Sequence, residues 1–426
     1  MTTSSALRTP SVVIVNAYGR SNRGDSVLLD ECILDIAAAM PNATITVALF
    51  EDEARHTFHA SVVAKTERIG NSRSRTGWAK LAASFSLIAA LTSAATGLRS
   101  IGRFLPEKQR RTLDAIFEAD LVVSAPGGYI HDTNTALYVA LAHIALPLLL
   151  KKRVFLAPQS IGPISGKFPK LISRWVLSRV EAICARESYT YQFLTGDLSL
   201  HSRQVRITGD SAFWNTNVSE DSTQVAQLWA QDFPAITGDE RILGITVIGW
   251  SFPHHQDSAQ LLKDYVNSIV KVIDTLCLQH GLRAVIFNQV SHDIKTAKLV
   301  QSLCRTPVVV QEAAREPEIL RAYIARSTVF LGTRFHSCIF SMMASVPTFA
   351  IAYLPKTDNI LKDLKLEKNA MPIDHMEPER IIDAISGFMA NLEESKSALY
   401  HCLEQYRRDF ANFHQVLLEI QKEKPF

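Results

Sequence analysis

Short β-branched runs alternate with amphipathic stretches along almost the whole chain. SVVIVNA (11–17) is followed by the polar YGRSNRGD, by the helical pattern SVLLDECILDIAAAM and by TITVALF (44–50). Strand, loop, helix, strand is the first unit of a parallel α/β sheet. Residues 66–80 are polar and read as a mobile loop. ADLVVSAPGG (119–128) is a buried strand ending in glycines, TALYVALAHIALPLLL a helix buried nearly all round, and KRVFLAPQSIGP a strand running into a loop. ISRWVLSRVEAI is helical, and ICARES (183–188) and VRITGDSAF (205–213) are short strands. From 215 to 240 the chain is polar and shows no sustained apolar strand. RILGITVIGW (241–250) then opens a second series, with strands at RAVIFNQ, PVVVQ, STVFLGT and PTFAIAY separated by helical patterns. The last stretch, from PERIIDAI onward, reads as one or two helices. The pattern predicts an N-terminal α/β domain over 1–215, a linker over 216–240, a C-terminal α/β domain over 241–395 and a C-terminal helix over 396–426. Two such halves imply two doubly wound, Rossmann-like domains facing a cleft.

Composition narrows the class. At 426 residues the chain exceeds one compact core, and 47% hydrophobic with 20% charged residues is a globular composition. The 45 Lys and Arg nearly balance the 42 Asp and Glu, leaving +3. Nothing there calls for a nucleic-acid partner. Six scattered cysteines with no CxxC read as free thiols in a reducing compartment. The N-terminus lacks the basic and apolar pattern of a secretion signal, so a cytoplasmic location is expected. Residues 81–98, LAASFSLIAALTSAATGL, carry no charge and stand between Lys80 and Arg99. Alanine, serine and threonine dominate the segment, which favours a buried or interfacial helix over a membrane span.

In open parallel sheets, ligands gather beyond the carboxyl ends of the strands. Asn22, Gly24 and Asp25 follow the first strand, and Gly127 and Gly128 follow the fourth run. Gln159, Ser160 and Gly162 follow VFLAP, Arg186 follows ICA, and Asp210 follows VRITG. Together these loops outline a cleft. Asp25 before a helical run is also a natural N-cap, and PGG also suits a tight turn. Arg186 beside Glu187 also suits an ordinary surface ion pair. Neither GxGxxG nor GxxxxGK[ST] occurs, so no nucleotide motif is present. LGTRFHSCIFSMMASVPTFAIAYLPK (331–356) differs. If the strand continues that far, Arg334 and His336 share a side. His336 opens a helix whose N–H groups attract anions, and Lys356 adds a third cation near the same edge.

NRGDSVLLD, APGGYIHD, APQSIGP, ARESYTYQFL, TGDSAF and the Arg-x-His segment with AYLPK occur in an order that resembles the polysaccharide pyruvyl transferase family. Tyr129 stands where the family often has a third glycine, and Glu187 where it often has aspartate. The resemblance implies a fold similar to B-type glycosyltransferases. It also implies transfer of a pyruvate unit from phosphoenolpyruvate to a sugar of a polysaccharide or its lipid-linked precursor, forming a ketal and releasing phosphate. By motif position it assigns Arg186, Arg334 and His336 to phosphoenolpyruvate, with Lys356 as a further ligand. His336 suits the general acid and Asp25 the group that orients or deprotonates the acceptor. Asn22, Gly127, Gly128, Gln159, Ser160 and Asp210 are cleft or acceptor candidates. Tyr18, Tyr129, Trp214 and Trp250 offer sugar-stacking faces. No cofactor is expected beyond the donor substrate, and no metal-ligand cluster is legible. A lipid-linked acceptor would fit helix 81–98 lying along the inner face of the cytoplasmic membrane. Two other readings remain open at this point. One is a nucleotide-sugar glycosyltransferase or epimerase of the same architecture, and the other a non-catalytic sugar-binding protein of envelope-polymer assembly.

Overall fold

The computed structural model describes residues 9–19, 23–50, 58–71, 77–132, 136–214, 222–236, 238, 240–253 and 255–423. Two parallel sheets organise them. The first holds β1 (Ser11–Ala17), β2 (Thr44–Leu49), β3 (Val62–Glu67), β4 (Leu121–Ser124), β5 (Gly127–Ile130), β6 (Arg153–Ile161), β7 (Ala182–Ala185) and β8 (Val205–Ile207). Their order is β3-β2-β1-β4-β6-β7-β8, with β5 pairing with β6. The second sheet holds β9 (Ile242–Thr246), β10 (Arg283–Ile286), β11 (Val308–Val310), β12 (Val329–Gly332), β13 (Thr348–Ala352) and β14 (Ala370–Pro372). Its order is β11-β10-β9-β12-β13-β14. In each sheet the chain winds outward from one central strand and then crosses back to wind the other way. The switch points lie between β1 and β4 and between β9 and β12, which is the doubly wound pattern.

The continuous apolar runs have a direct cause. Val13 and Val15 of β1 enter one core with Leu137, Leu141 and Ile144 of the helix Ala136–Leu149. Val12 and Ile14 enter another with Leu29, Ile33 and Ile36 of the helix Arg23–Ala39. A parallel strand covered on both faces has no polar side to show. The second sheet is filled the same way, with Leu243, Ile245 and Leu331 against Tyr265, Ile269 and Val272 of the helix Ser258–His280.

Several expectations change. The stretch 66–80 is not a loop throughout: the edge strand β3 takes in Thr66 and Glu67, the helix Gly77–Thr96 begins inside it, and the exposed side of β3 carries Val63 and Lys65. Residues 72–76 of that stretch lie outside the described residues. The supposed linker contains the helix Ser222–Asp232. The Trp229 ring there lies 4.4 Å from that of Phe233, tilted, and 5.2 Å from that of Tyr323, edge-on, and Asp232 forms a two-point ion pair with Arg315. Those contacts make it part of the second unit, which runs over Ala212–Asp409 and includes Gly24. The first unit runs to Ser211 and takes up the chain again at Phe410. The helix Phe413–Glu423 delivers Phe413, Val416, Leu417 and Ile420 to the core under β1 and β2. The expected single C-terminal segment is thus divided between the units.

Asp35, on the helix Arg23–Ala39, lies in the same region as the buried thiols of Cys32 and Cys184. Burial pushes its carboxyl up to about 7. The folded state therefore holds a proton that the unfolded chain releases near its ordinary value of 3.8. Asp35 contributes stability that is complete below that value and is lost as pH rises through 7. Asp35→Asn should raise stability by about 2 kcal/mol at alkaline pH, after allowing for the group's partial exposure. At strongly acidic pH it should change nothing. Thermal melts of both proteins across that pH range read the difference.

Candidate active site

In the second unit Arg334 and His336 follow β12, beside the switch point, and Lys356 follows the neighbouring strand β13. β12 ends at Gly332, level with Thr246 at the end of β9. The strand does not extend to Arg334, so strand alternation is not what brings Arg334 and His336 together. Arg334 is the N-cap residue of the helix Phe335–Met343, and His336 sits in that helix's first turn. Thr246 Oγ1 accepts from the backbone N–H groups of Thr333 and Arg334 at 3.2 Å each, pinning this turn to β9.

Arg334 is held from the short segment Ser291–Asp293 that follows β10. Its Nε and Nη2 donate to Asp293 Oδ2 and Oδ1 at 2.7 and 2.8 Å, and Nη2 lies 3.1 Å from His292 Nε2. Asp293 is buried and also accepts from the backbone N–H of Gly249 at 3.2 Å. Burial pulls the Arg334 pKa down, but Asp293 and Tyr353 hold it above the ordinary arginine value, so the guanidinium stays charged. A guanidinium has five N–H donors, and the two-point pair takes two of them.

His336 is 3% exposed, with its ring 5.1 Å from that of Phe335. Lys356 lies in the first turn of the helix Pro355–Asp363, beyond the end of β13, and its Nζ stands 5.3 Å from the Phe335 centroid. Phe335 is therefore flanked by both groups. Gly24 belongs to this cluster too. A Cβ there would fall 2.0 Å from His336 Nδ1, so only glycine lets the backbone pack against the imidazole. Trp250 packs on Tyr353 at 4.9 Å, and Tyr353 lies 5.9 Å from the Arg334 guanidinium carbon. Trp214 packs instead on Tyr406, at 5.9 Å.

The first unit assembles the other candidates separately. β6 runs through Gln159 and Ser160, so these are strand residues and not part of a loop. Gly127 and Gly128 open β5 and do not form a tight turn. Gln159 Nε2 donates to Tyr129 Oη at 2.8 Å, Tyr129 donates to the Ala125 carbonyl at 2.6 Å, and Asn16 Nδ2 donates to Ser124 Oγ at 3.0 Å. Tyr129 thus crosslinks β4 and β6 and lies 6.0 Å from Tyr18. Ser160 donates to Glu187 Oε2 at 2.7 Å and accepts from Arg186 Nη2 at 2.7 Å. Arg186 Nη1 meets Asp210 Oδ2 at 3.2 Å. Arg186 is 1% exposed, so its pair with Glu187 at 3.8 Å is interior and not a surface contact. Burial raises the Glu187 pKa against the opposing pull of Arg186, Thr190 and Ser160. Asp25 stands inside the first turn of its helix and is not its N-cap. Asn22 lies outside the described residues.

The polysaccharide pyruvyl transferase family matches the chain over residues 22–355. The chain belongs to that family. The match takes in Gly24, Arg186, Arg334 and His336 and stops one residue short of Lys356. Among curated relatives, the amylovoran biosynthesis protein AmsJ of Erwinia amylovora is 24% identical over 315 residues, covering 71% of this chain and 73% of that protein. Solved structures share the fold at low identity. The UDP-GlcNAc 2-epimerase of Neisseria meningitidis superposes with a TM-score of 0.61 at 12% identity, over 97% of this chain and all of that one. A glycosyltransferase from Rickettsia africae gives 0.59 at 9% identity, over 98% and 97% of the two chains. HepE of Anabaena, solved with UDP and glucose, gives 0.56 at 11%, over 97% and 98%. This pyruvyl transferase family member therefore has the two-domain Rossmann-like architecture of those enzymes, as the alternating pattern implies.

Proposed function

We propose that the protein transfers a pyruvate unit from phosphoenolpyruvate to two hydroxyls of a sugar in a polysaccharide or its precursor, releasing phosphate and leaving a pyruvate ketal. The observation that carries this reading is the start of the helix after β12. There Asp293 fixes Arg334, His336 lies in the first turn, and Lys356, from beyond the end of β13, stands 5.3 Å from the ring of Phe335, the residue between them in sequence. Phosphoenolpyruvate presents a carboxylate and a phosphate close together. A fixed guanidinium, an ammonium and a helix N-terminus together suit two such anions.

His336 in its protonated form gives a proton to the methylene carbon, which becomes a methyl group. The neighbouring carbon gains oxocarbenium character, and a sugar hydroxyl adds there and loses its proton. A second hydroxyl then attacks the same carbon, phosphate leaves with the electron pair of the broken C–O bond and takes up that hydroxyl's proton, and the ring closes. Asp25 is assigned to orient the acceptor or take its proton. Arg186 is bonded to Ser160 and Asp210 in the interior of the first unit. Its part in this scheme is to hold that strand-end network, and Arg334 with Lys356 takes the donor's charge.

Thermal unfolding with phosphoenolpyruvate, and separately with UDP and UDP-sugars, tests the donor. A ligand at a hundredfold excess over its Kd stabilises by about 2.7 kcal/mol, a shift of several degrees. Phosphoenolpyruvate should give that shift, and Lys356→Ala should reduce it. A shift with UDP-sugars and none with phosphoenolpyruvate would move the protein to nucleotide-sugar chemistry and remove the role given to His336.

A further inference from the structure

One surface of the first unit has no part in the chemistry above. On the helix Gly77–Thr96 the large apolar side chains Trp78, Leu81, Phe85 and Ile88 are 58–84% exposed. Their spacing of three, four and three residues continues to Thr92 and Ala95, so all six form one stripe along the helix. The helix Lys167–Leu177 shows a second stripe, Phe168, Leu171 and Trp175, 46–66% exposed. The stripes converge. Thr92 and Ala95 of the first, Trp175 of the second with the half-buried Ile172 beside it, and Tyr138 between them line an open apolar groove of about 480 Å³.

The opposite face of the helix Gly77–Thr96 explains its composition. Ser86, Ala89, Ala90, Ser93 and Ala94 are buried, and these small residues let the helix lie close on its neighbours. Its length and apolarity would let it cross a membrane. It is instead laid flat, with its bulky residues outward. Charge is arranged to match. Residues 77–105 carry Lys80, Arg99 and Arg103, and residues 167–179 carry Lys167, Lys170, Arg174 and Arg179, with no Asp or Glu in either segment. Arg99 and Lys170 meet Glu118 and Asp197. Lys80, Arg103, Lys167, Arg174 and Arg179 are exposed, and Arg179 lies 4.5 Å from the centroid of Trp175. Exposed Trp, Phe and Leu with a net basic rim, seven cations against the paired acids Glu118 and Asp197, is the chemistry of a surface that inserts shallowly among anionic headgroups.

We infer that this three-helix face seats the first unit on the surface of an anionic lipid bilayer, with Trp78, Phe85, Phe168 and Trp175 in the headgroup layer and the basic rim on lipid phosphates. The inference is independent of the donor and acceptor of the reaction.

Flotation of the full chain with vesicles of phosphatidylcholine alone, or with about a third phosphatidylglycerol, tests it. Binding should be at least about tenfold stronger to the anionic vesicles and should weaken in high salt. Trp78→Asp with Phe85→Asp, and separately Lys167→Glu with Arg174→Glu, should each lower binding by about tenfold or more. All the altered side chains are exposed, so melting midpoints should stay near that of the parent, and Trp78→Ser with Phe85→Ser supplies a milder pair. Equal binding by parent and variants, or equal binding to both vesicle types, would overturn the assignment. So would light scattering that showed a dimer dissolved by the same substitutions, with no vesicle binding, since the face would then seat a second copy.

Discussion

His336→Gln should lower pyruvyl transfer by about 10²–10⁴-fold while leaving the thermal shift produced by phosphoenolpyruvate largely intact. Glutamine keeps the volume and polarity of a side chain that is almost wholly buried, but it has no proton to give at neutral pH. The proposed proton goes to carbon, a slow transfer that water does not assist well, so the loss falls on kcat. Gly24→Ala should produce a loss of similar size by a different route. Its Cβ would stand 2.0 Å from Nδ1, and the ring must turn away to admit it. The retained thermal shift in His336→Gln separates the proton donor from a merely structural histidine, and Gly24→Ala reads the cost of moving the ring alone. Steady-state phosphate release with a competent acceptor measures both. A loss under tenfold in His336→Gln would mean that another group supplies the proton.

Asp293→Ala carries the largest expected effect on stability. It leaves the Arg334 cation, 9% exposed, without its two-point partner, and it strips an acceptor from the Gly249 N–H. Breaking a buried pair on one side costs about 3–5 kcal/mol. Removing both charges together, as in Asp293→Leu with Arg334→Leu, should recover part of that loss, because no uncompensated charge remains. The double variant should nevertheless fail to bind phosphoenolpyruvate. Denaturant melts of the single and double variants, with ligand-induced shifts on each, separate what the pair does for the fold from what Arg334 does for the donor. If the double variant still responds to phosphoenolpyruvate, Arg334 is a structural residue.

The strands were legible because they are covered on both faces and therefore write uninterrupted Val, Ile and Leu into the chain. β3 and β14 were not, since both are edge strands with one side open, and β5 was not, since its four residues begin with two glycines. The helix Ser222–Asp232 was not, because its buried face rests on Val225 and Trp229 in an otherwise polar stretch. At the site, TRFHS stood out by its position after a strand, yet the Arg334 partner did not. Asp293 lies 41 residues away on the loop after β10, and only folding brings it within 2.7 Å. The same strand-end rule that picked out Arg334 applies to the SHD that contains Asp293. The interior setting of Arg186 was likewise invisible, because it depends on Ser160, Glu187 and Asp210 converging from three separate strand ends.

The return of the chain to the first unit has a consequence for synthesis. The eight strands of that unit are complete by Ile207, but the helix that seals the core under β1 and β2 begins only at Phe413. At about 5–20 residues per second the ribosome needs some tens of seconds to bridge that interval. The second unit can therefore emerge and fold in one piece while the first waits with Leu29, Ile33 and Ile45 on an unsealed face. A chain released before residue 413 should be captured by chaperones that recognise apolar surface, although every strand it needs has already been made.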